Sequence, residues 1–221
     1  MTTTAASIRT IGILGAGRVG AAVARRAVAV GFEVCIATAK PAREIEPTLR
    51  RVVPGARAVE PTEITETDLT VVAIPLRNYR ELEPTLFDGQ TVVDAMNYWT
   101  ATDGELAAFD RDHRTTSEIV QEHLAGARLV KTLNHIGYHD LESDHRHPGA
   151  PDRRALAVAG DHVDTCQEAA WFVEQLGFDA VQAGPLAAGR ILEPGTEIFT
   201  GRHSAERMRS LVAQACANVS A

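Results

Sequence analysis

The chain has 221 residues, of which 45% are apolar and 23% are charged, and its formal net charge is -7. This length and composition are typical of a globular protein with one large domain, or one domain with a small addition. The negative charge argues against a general nucleic-acid binder, which needs a basic surface. No apolar run approaches the roughly 18 residues of a membrane span.

The cysteines and the first residues bear on the compartment of the protein. Cys35, Cys166 and Cys216 lie far apart and form no CxxC pair, which favours reduced thiols and a cytoplasmic protein. The opening stretch MTTTAAS lacks the basic and apolar parts of a signal peptide. We therefore expect residues 1–7 to be a frayed tail.

Short apolar runs alternate with longer amphipathic segments in the first part of the chain. The pattern predicts strands at residues 11–14, 34–37, 56–59, within 68–75, at 91–94 and at 129–133, with a helix at 18–30 and further helices between most of the others. Strands that are apolar on both faces and separated by helices are typical of a parallel sheet covered on both sides.

The remaining residues are predicted to extend the same sheet. Residues 135–154 are polar and favour a loop with a short helix, and they are followed by a strand, a helix, a strand and a helical tail. The fold class is therefore predicted as α/β: a doubly wound, Rossmann-type, mostly parallel sheet with a small C-terminal α/β extension. Residues 8–134 form the predicted dinucleotide-binding domain, and residues 135–221 the extension that completes the sheet and the substrate cleft.

The motif GAGRVG follows the first predicted strand and opens the first predicted helix. In a GxGxxG turn, the first glycine permits the tight turn, the second lets a pyrophosphate approach, and the third lets the helix pack closely on the strand. Amides at the helix N-terminus then face the anion. We predict that this glycine loop binds a dinucleotide through Gly15, Ala16, Gly17, Arg18, Val19 and Gly20.

The residues after the second predicted strand bear on which dinucleotide binds. NAD-binding folds carry an acid about 20 residues beyond the glycine motif, where it binds the ribose hydroxyls. This chain has Thr38, Lys40 and Arg43 there instead. A hydroxyl and two cations suit a 2'-phosphate, so the sequence favours NADP(H). The alternative is that Lys40 and Arg43 are ordinary solvated charges at a helix start.

Ligands of open α/β sheets bind beyond the carboxyl ends of the strands. Pro75, Asn97 and Asn134 follow the fourth, fifth and sixth predicted strands. We expect Asn97 and Asn134 to contact the cofactor and the acceptor site to lie between these segments. Residues 184–186 would close one side, and Asn134 would position the acceptor through a hydrogen bond. Tyr98 and Trp99 either wall a flat ring by stacking or are core or interface aromatics.

Other chemistries are less consistent with the sequence. His135, His139, His145 and His147 match no compact metal-ligand spacing, so no metal site is predicted. The absence of a G-x-S-x-G motif argues against a serine hydrolase. His135 and Asp140 can serve acid–base chemistry, but hydride transfer between bound rings depends mainly on orientation and exclusion of water. No catalytic base is therefore predicted.

Four motifs occur in an order that resembles a known family: the glycine motif, AIPLRNY, KTLNHIG and AGPLAAGRILE. The chain is similar, over about residues 8–199, to the NADP oxidoreductases that depend on the deazaflavin coenzyme F420. It is also similar to the related cytosolic NADPH domain of the six-transmembrane metalloreductases. The resemblance implies NADPH on the glycine loop and direct hydride transfer to a deazaflavin or flavin ring stacked on the nicotinamide.

The resemblance also implies roles for single residues. Thr38 and Lys40 match the Ser and Arg positions with which that family holds the 2'-phosphate. Ile74 and Pro75 match positions that pack against the cofactor. Asn134 occupies a position where deazaflavin-using members tend to carry His and metalloreductase-like members carry Asn.

Three functional hypotheses follow. The first is an NADPH-dependent oxidoreductase that transfers hydride between NADP(H) and a deazaflavin (F420) or flavin ring. The second is an NADPH-dependent reductase of a small imine or carbonyl compound, and the third is a non-catalytic redox sensor that binds NADP(H). We expect a small-molecule or cofactor substrate, no nucleic-acid or membrane partner, and a homodimer in which a second copy completes the cleft or core.

Overall fold

The computed structural model describes residues 8–106, 109 and 112–219, so the predicted frayed tail lies outside the described residues. Within them, the strands are β1 (Thr10–Leu14), β2 (Glu33–Ala37), β3 (Arg57–Ala58), β4 (Leu69–Val72), β5 (Thr91–Asp94), β6 (Arg128–Lys131), β7 (Ala155–Gly160) and β8 (Asp179–Gly184). They form one sheet in the order β3-β2-β1-β4-β5-β6-β7-β8. All neighbours pair in parallel except β6 and β7, which are antiparallel. The predicted fold class is confirmed.

Helices connect most of the strands. They are α1 (Arg18–Ala29), α2 (Ala42–Val52), α3 (Thr100–Asp103), α4 (Thr116–His123), α5 (Tyr138–Ser143), α6 (Val163–Gln175), α7 (Glu197–Thr200) and α8 (Ala205–Val219). Short 3-10 helices occupy Pro61–Glu66, Leu76–Glu81, Pro84–Phe87 and Leu186–Leu192. No helix in the described ranges is long and apolar enough to cross a membrane.

The two faces of the sheet carry separate apolar cores, because successive side chains of a strand point to opposite faces. Val71 and Val130 pack with α1 and α6 on one face. Val72 and Leu129, their neighbours in the chain, pack with α4 on the other face. Both faces are therefore covered, which explains why the strands are apolar throughout.

The sixth strand is shorter than predicted. The sequence predicts a strand at residues 129–133, but β6 ends at Lys131. Leu133 adopts a φ of 63° and is fully buried. This left-handed conformation costs a residue with a Cβ roughly 1–2 kcal/mol, and tertiary packing maintains it. The chain consequently leaves the sheet after Lys131, and the sheet continues into β7. The boundary between residues 134 and 135 stays a prediction.

Candidate functional site

The three motif glycines meet different surroundings. A Cβ on Gly15, whose φ is 109°, would lie 2.4 Å from the carbonyl oxygen of Ala73. A Cβ on Gly20 would lie 2.0 Å from the carbonyl oxygen of Gly15. A Cβ on Gly17 would meet nothing within 4 Å. Packing therefore requires the first and third glycines, whereas the second leaves open space beside the N-terminus of α1.

The N-terminus of α1 is suited to an anion. Gly17 is the N-cap residue, no side chain caps the helix, and its first turn contains no acid. The first-turn amides and the positive end of the helix dipole therefore remain available to a ligand. Ala16 and Arg18 are exposed, and Val19 packs against the core. The guanidinium of Arg18 lies 5.5 Å from the ring centroid of Tyr138, within range of a cation–π contact.

A cavity of about 390 Å³ adjoins the glycine loop at the ends of β1, β2 and β4. Its volume is in the range of small-molecule sites. Besides the glycine loop, its wall consists of Leu14, Ala37, Thr38, Ala39, Pro61, Ala73, Ile74, Pro75, Asn78, Glu81, Leu82, Glu83, Leu86 and Phe87. Sequence reasoning identified Thr38, Ile74 and Pro75 but missed the wall formed by residues 78–87. That segment folds into two 3-10 turns, which have neither a strand nor a helix periodicity.

The residues predicted to select the cofactor lie at the end of β2. The hydroxyl of Thr38 accepts a hydrogen bond from the Lys40 amide at 3.1 Å, which forms a tight local turn. Lys40 and Arg43 are exposed, and within the described residues neither cationic head has a protein partner. The Glu60 carboxylate accepts a hydrogen bond from the Ala42 amide at 2.9 Å, so one acid also lies at the start of α2.

Asn97, Asn134, His135 and the carbonyl of Leu192 form a hydrogen-bonded group, here called the asparagine network. The Asn134 side-chain amide donates to Asn97 Oδ1 at 3.0 Å and to the Leu192 carbonyl at 2.6 Å. Asn97 Nδ2 donates to the Asn134 carbonyl at 2.7 Å. The network joins the segments after β5 and β6 to the 3-10 helix Leu186–Leu192. Asn134 is only 4% exposed and both of its amide hydrogens are bound, so donation to an acceptor would need one of these bonds to break.

His135 anchors this network to β7. Its Nε2 accepts a hydrogen bond from the Ala157 amide at 2.9 Å, and its Nδ1 lies 3.1 Å from Asn134 Oδ1. Burial, followed by the nearby charges of Arg154 and Lys131, lowers the pKa of His135 to about 3. The imidazole is therefore neutral at ordinary pH, and its single proton is on Nδ1.

The depressed pKa of His135 predicts a pH-dependent stability. The group contributes its full stability above its unfolded-state pKa of 6.5, and this stability is lost as pH falls towards 3. Between about pH 6 and pH 4 the unfolded chain binds one more proton here, so the free energy of unfolding falls by about 1.4 kcal/mol per pH unit. Urea denaturation of the wild type and His135→Asn across this range measures the contribution. Equal slopes for the two proteins would contradict it.

A buried ion pair lies beneath the asparagine network, where β5 and β6 end. Lys131 Nζ lies 3.2 Å from Asp94 Oδ2, and both side chains are fully buried. Lys131 also donates to the Met96 carbonyl at 2.6 Å, and Ser117 donates to Asp94 at 2.7 Å. A buried pair is tolerated only when further hydrogen bonds satisfy both charges, as here. Sequence reasoning missed this pair. A single charged residue at the end of each of two apolar strands could have indicated it.

The aromatic residues after β5 occupy different surroundings. The Tyr98 hydroxyl donates to the Gly104 carbonyl at 3.0 Å and accepts from the Leu106 amide at 2.9 Å, and its ring packs against Phe109. Trp99 is 47% exposed and makes an edge contact with Phe199 at a centroid distance of 5.5 Å. Tyr98 thus stabilises its own loop, and Trp99 has free surface for a further contact.

Two further predictions concern the histidine-rich segment after β6 and residues 184–186, which were expected to close one side of the acceptor site. Within the described ranges, no three His, Cys, Asp or Glu side chains come together as a group that could hold a metal. Residues 184–186 do not enter the asparagine network, since the contact from that region comes from Leu192. Leu186 is buried, and its amide donates to Asp161 at 2.9 Å.

An uncapped helix N-terminus, an open glycine position and a cavity of small-molecule size lie next to one another. Residues 10–98 match the family described as NADP oxidoreductase, coenzyme F420-dependent. The match includes the glycine loop, Thr38, the cavity wall and Asn97, and it confirms the resemblance inferred from the sequence. It supports an NADP-dependent oxidoreductase. The KTLN and AGPL motifs lie outside the matched residues.

Solved structures extend the likeness in fold. A hypothetical protein from Sinorhizobium meliloti is 27% identical, with a TM-score of 0.78 over 90% of this chain and 96% of that one. A candidate F420-dependent NADP reductase from Arthrobacter sp. FB24 is 23% identical, with a TM-score of 0.69 over 81% and 86%. An imine reductase from Bacillus cereus BAG3X2 is 16% identical, with a TM-score of 0.57 over 83% of this chain and 57% of that one. No curated protein matches the sequence.

Proposed function

We propose that the protein transfers hydride between NADP(H) and a deazaflavin (F420) or flavin ring. The observation that carries the proposal is the cavity of about 390 Å³ that opens beside Gly17 and the uncapped N-terminus of α1. The family match over residues 10–98 supports NADP(H) as the cofactor and favours the deazaflavin as the second ring. When bound, NADPH supplies a hydride, that is, a proton with two electrons, and leaves as NADP⁺.

In this proposal the chain binds and orients the cofactor. The glycine loop holds the pyrophosphate through backbone amides. The cavity takes the adenosine, with Ile74 and Pro75 against it. Lys40 and Arg43 pair with the 2'-phosphate, and the Thr38 hydroxyl hydrogen-bonds it. The nicotinamide then lies over the ends of β4, β5 and β6, beside Asn97.

A second candidate function is the reduction of a small imine or carbonyl compound. The fold similarity to the imine reductase from Bacillus cereus BAG3X2 favours it. This chain spans only 57% of the length of that protein, however. The similarity therefore covers only part of that reductase, and this candidate is placed second.

An acceptor panel separates the candidates. The purified protein is incubated with NADPH and, in turn, with F420, a riboflavin derivative, a ferric chelate, a cyclic imine and a small ketone. We expect NADPH absorbance to fall with F420 or the flavin and to stay constant with the imine and the ketone. Imine- or ketone-dependent oxidation would replace the first candidate with the second. NADPH binding without oxidation by any acceptor would favour a redox sensor.

A further inference from the structure

The inference concerns the orientation of the side-chain amides in the asparagine network. A backbone N–H can only donate, so the bond from Ala157 requires an unprotonated Nε2 on His135. The neutral ring then carries its proton on Nδ1 and donates to Asn134 Oδ1 at 3.1 Å. The direction of this bond, together with the bond from Asn134 Nδ2 to the Leu192 carbonyl, fixes which end of the Asn134 amide is oxygen and which is nitrogen.

The orientation of the Asn134 side-chain amide in turn determines the orientation of the Asn97 side-chain amide. With Asn134 Oδ1 facing His135, the Asn134 Nδ2 group donates to Asn97 Oδ1 at 3.0 Å. Asn97 Oδ1 is therefore an acceptor, and Asn97 Nδ2 donates one hydrogen to the Asn134 carbonyl at 2.7 Å. The second hydrogen of Asn97 Nδ2 has no partner among the residues that the structure describes. Asn97 is half-buried and follows the carboxyl end of β5, so part of this residue remains open to solvent and to a ligand.

We propose that His135 is a positioning residue, which acts through Asn134 so that Asn97 presents an N–H, and not a carbonyl oxygen, to the carboxamide oxygen of the nicotinamide. This inference rests on the proposed function. The two backbone carbonyls in the network, from Asn134 and Leu192, each accept one amide hydrogen and, with His135, oppose a flip of either asparagine. The left-handed Leu133 immediately before Asn134 is consistent with strain maintained at a functional site.

Two ligands that differ by the nicotinamide, its ribose and one phosphate test the proposal without any hydride acceptor. NADPH carries the nicotinamide, and adenosine 2',5'-bisphosphate contains only the adenosine end with its phosphates. The first variant, His135→Phe, keeps a flat ring but removes both hydrogen bonds. We expect it to weaken NADPH about tenfold, the effect of one lost hydrogen bond, while the bisphosphate changes less than about twofold.

His135→Asn provides the matched rescue. Its side-chain N–H can take the place of the imidazole Nδ1–H and donate to Asn134, so it should restore most of the NADPH affinity. Asn97→Asp is the second test, because it replaces the presented N–H with an oxygen at a half-buried position. We expect it to weaken NADPH selectively, which tests the donor role of Asn97. If His135→Phe does not fold, the NMR measurement described below tests the direction set by His135.

The outcomes separate the inference from the proposed function. Equal losses for both ligands in His135→Phe and in Asn97→Asp, or no loss in either variant, would overturn the positioning role while leaving NADP(H) binding intact. A wild-type protein that binds neither ligand would overturn the proposed function, and the positioning role with it. Nitrogen-15 NMR of the His135 ring gives an independent check, since a proton on Nε2 would contradict the network.

Discussion

Replacing Gly17 with valine is expected to abolish NADP(H) binding, with a loss of at least about 100-fold, or roughly 2.7 kcal/mol. The added side chain would occupy the open space in which we propose that the pyrophosphate lies. The fold should tolerate it, because a Cβ at this position meets nothing within 4 Å and φ is -71°. Isothermal titration with NADPH and a thermal melt of the same sample measure both effects.

Gly20→Ala is the matched control for this experiment. Its Cβ would lie 2.0 Å from the Gly15 carbonyl oxygen, so the change should lower the free energy of unfolding by about 1–3 kcal/mol. The two variants should therefore fail for different reasons: Gly17→Val loses NADP(H) binding, and Gly20→Ala loses stability. A folded Gly17→Val protein with wild-type NADPH affinity would rule out the proposed pyrophosphate site.

The wild-type protein is expected to bind NADPH at least about tenfold more tightly than NADH, which corresponds to 1.4 kcal/mol. The double variant Thr38→Asp/Lys40→Ala should erase or reverse this preference, because it introduces a negative charge beside the proposed phosphate and removes a positive one. The aspartate at position 38 can still accept the hydrogen bond from the backbone amide of residue 40, which is 3.1 Å long in the wild type. The local turn should therefore be retained. Dissociation constants for both cofactors, measured at one ionic strength, test this.

Arg50→Ala provides the charge control. It removes one cation from the same helix region, but Arg50 pairs with Glu46 and lies away from the cavity wall. Its cofactor preference should match that of the wild type. A wild-type protein that prefers NADH would show that Lys40 and Arg43 are ordinary solvated charges, and that our interpretation of residues 38–43 is wrong.

The glycine loop and the strands were predictable because their signals are local. Gly15 and Gly20 are required by contacts within the first βα unit and with the segment after β4. Their spacing in the sequence is therefore enough to predict the turn. The apolar runs around Val71 and Val130 likewise predict buried strands whatever lies on either side. The mostly parallel pairing of the strands then follows from the preference for parallel strands joined by helices.

The asparagine network was not predictable, because its partners are distant in sequence. Asn134 was expected to face an acceptor, but its amide is bound by Asn97 and by Leu192, which is 58 positions away. The left-handed turn at Leu133 has no sequence signal, since only glycine and asparagine commonly adopt that conformation. The role of His135 depends on one backbone amide in β7, which no periodicity can reveal.

The antiparallel pairing of β6 with β7 has a consequence for how the molecule folds. It joins β6 directly to the C-terminal extension. Gly189 of that extension packs against the side chain of the buried Lys131. Removal of the extension would leave β6 as a bare edge and expose one half of a charge pair to water. The two parts should therefore unfold cooperatively, as a single thermodynamic unit, with residues 135–221 a structural requirement of residues 8–134 rather than a detachable module.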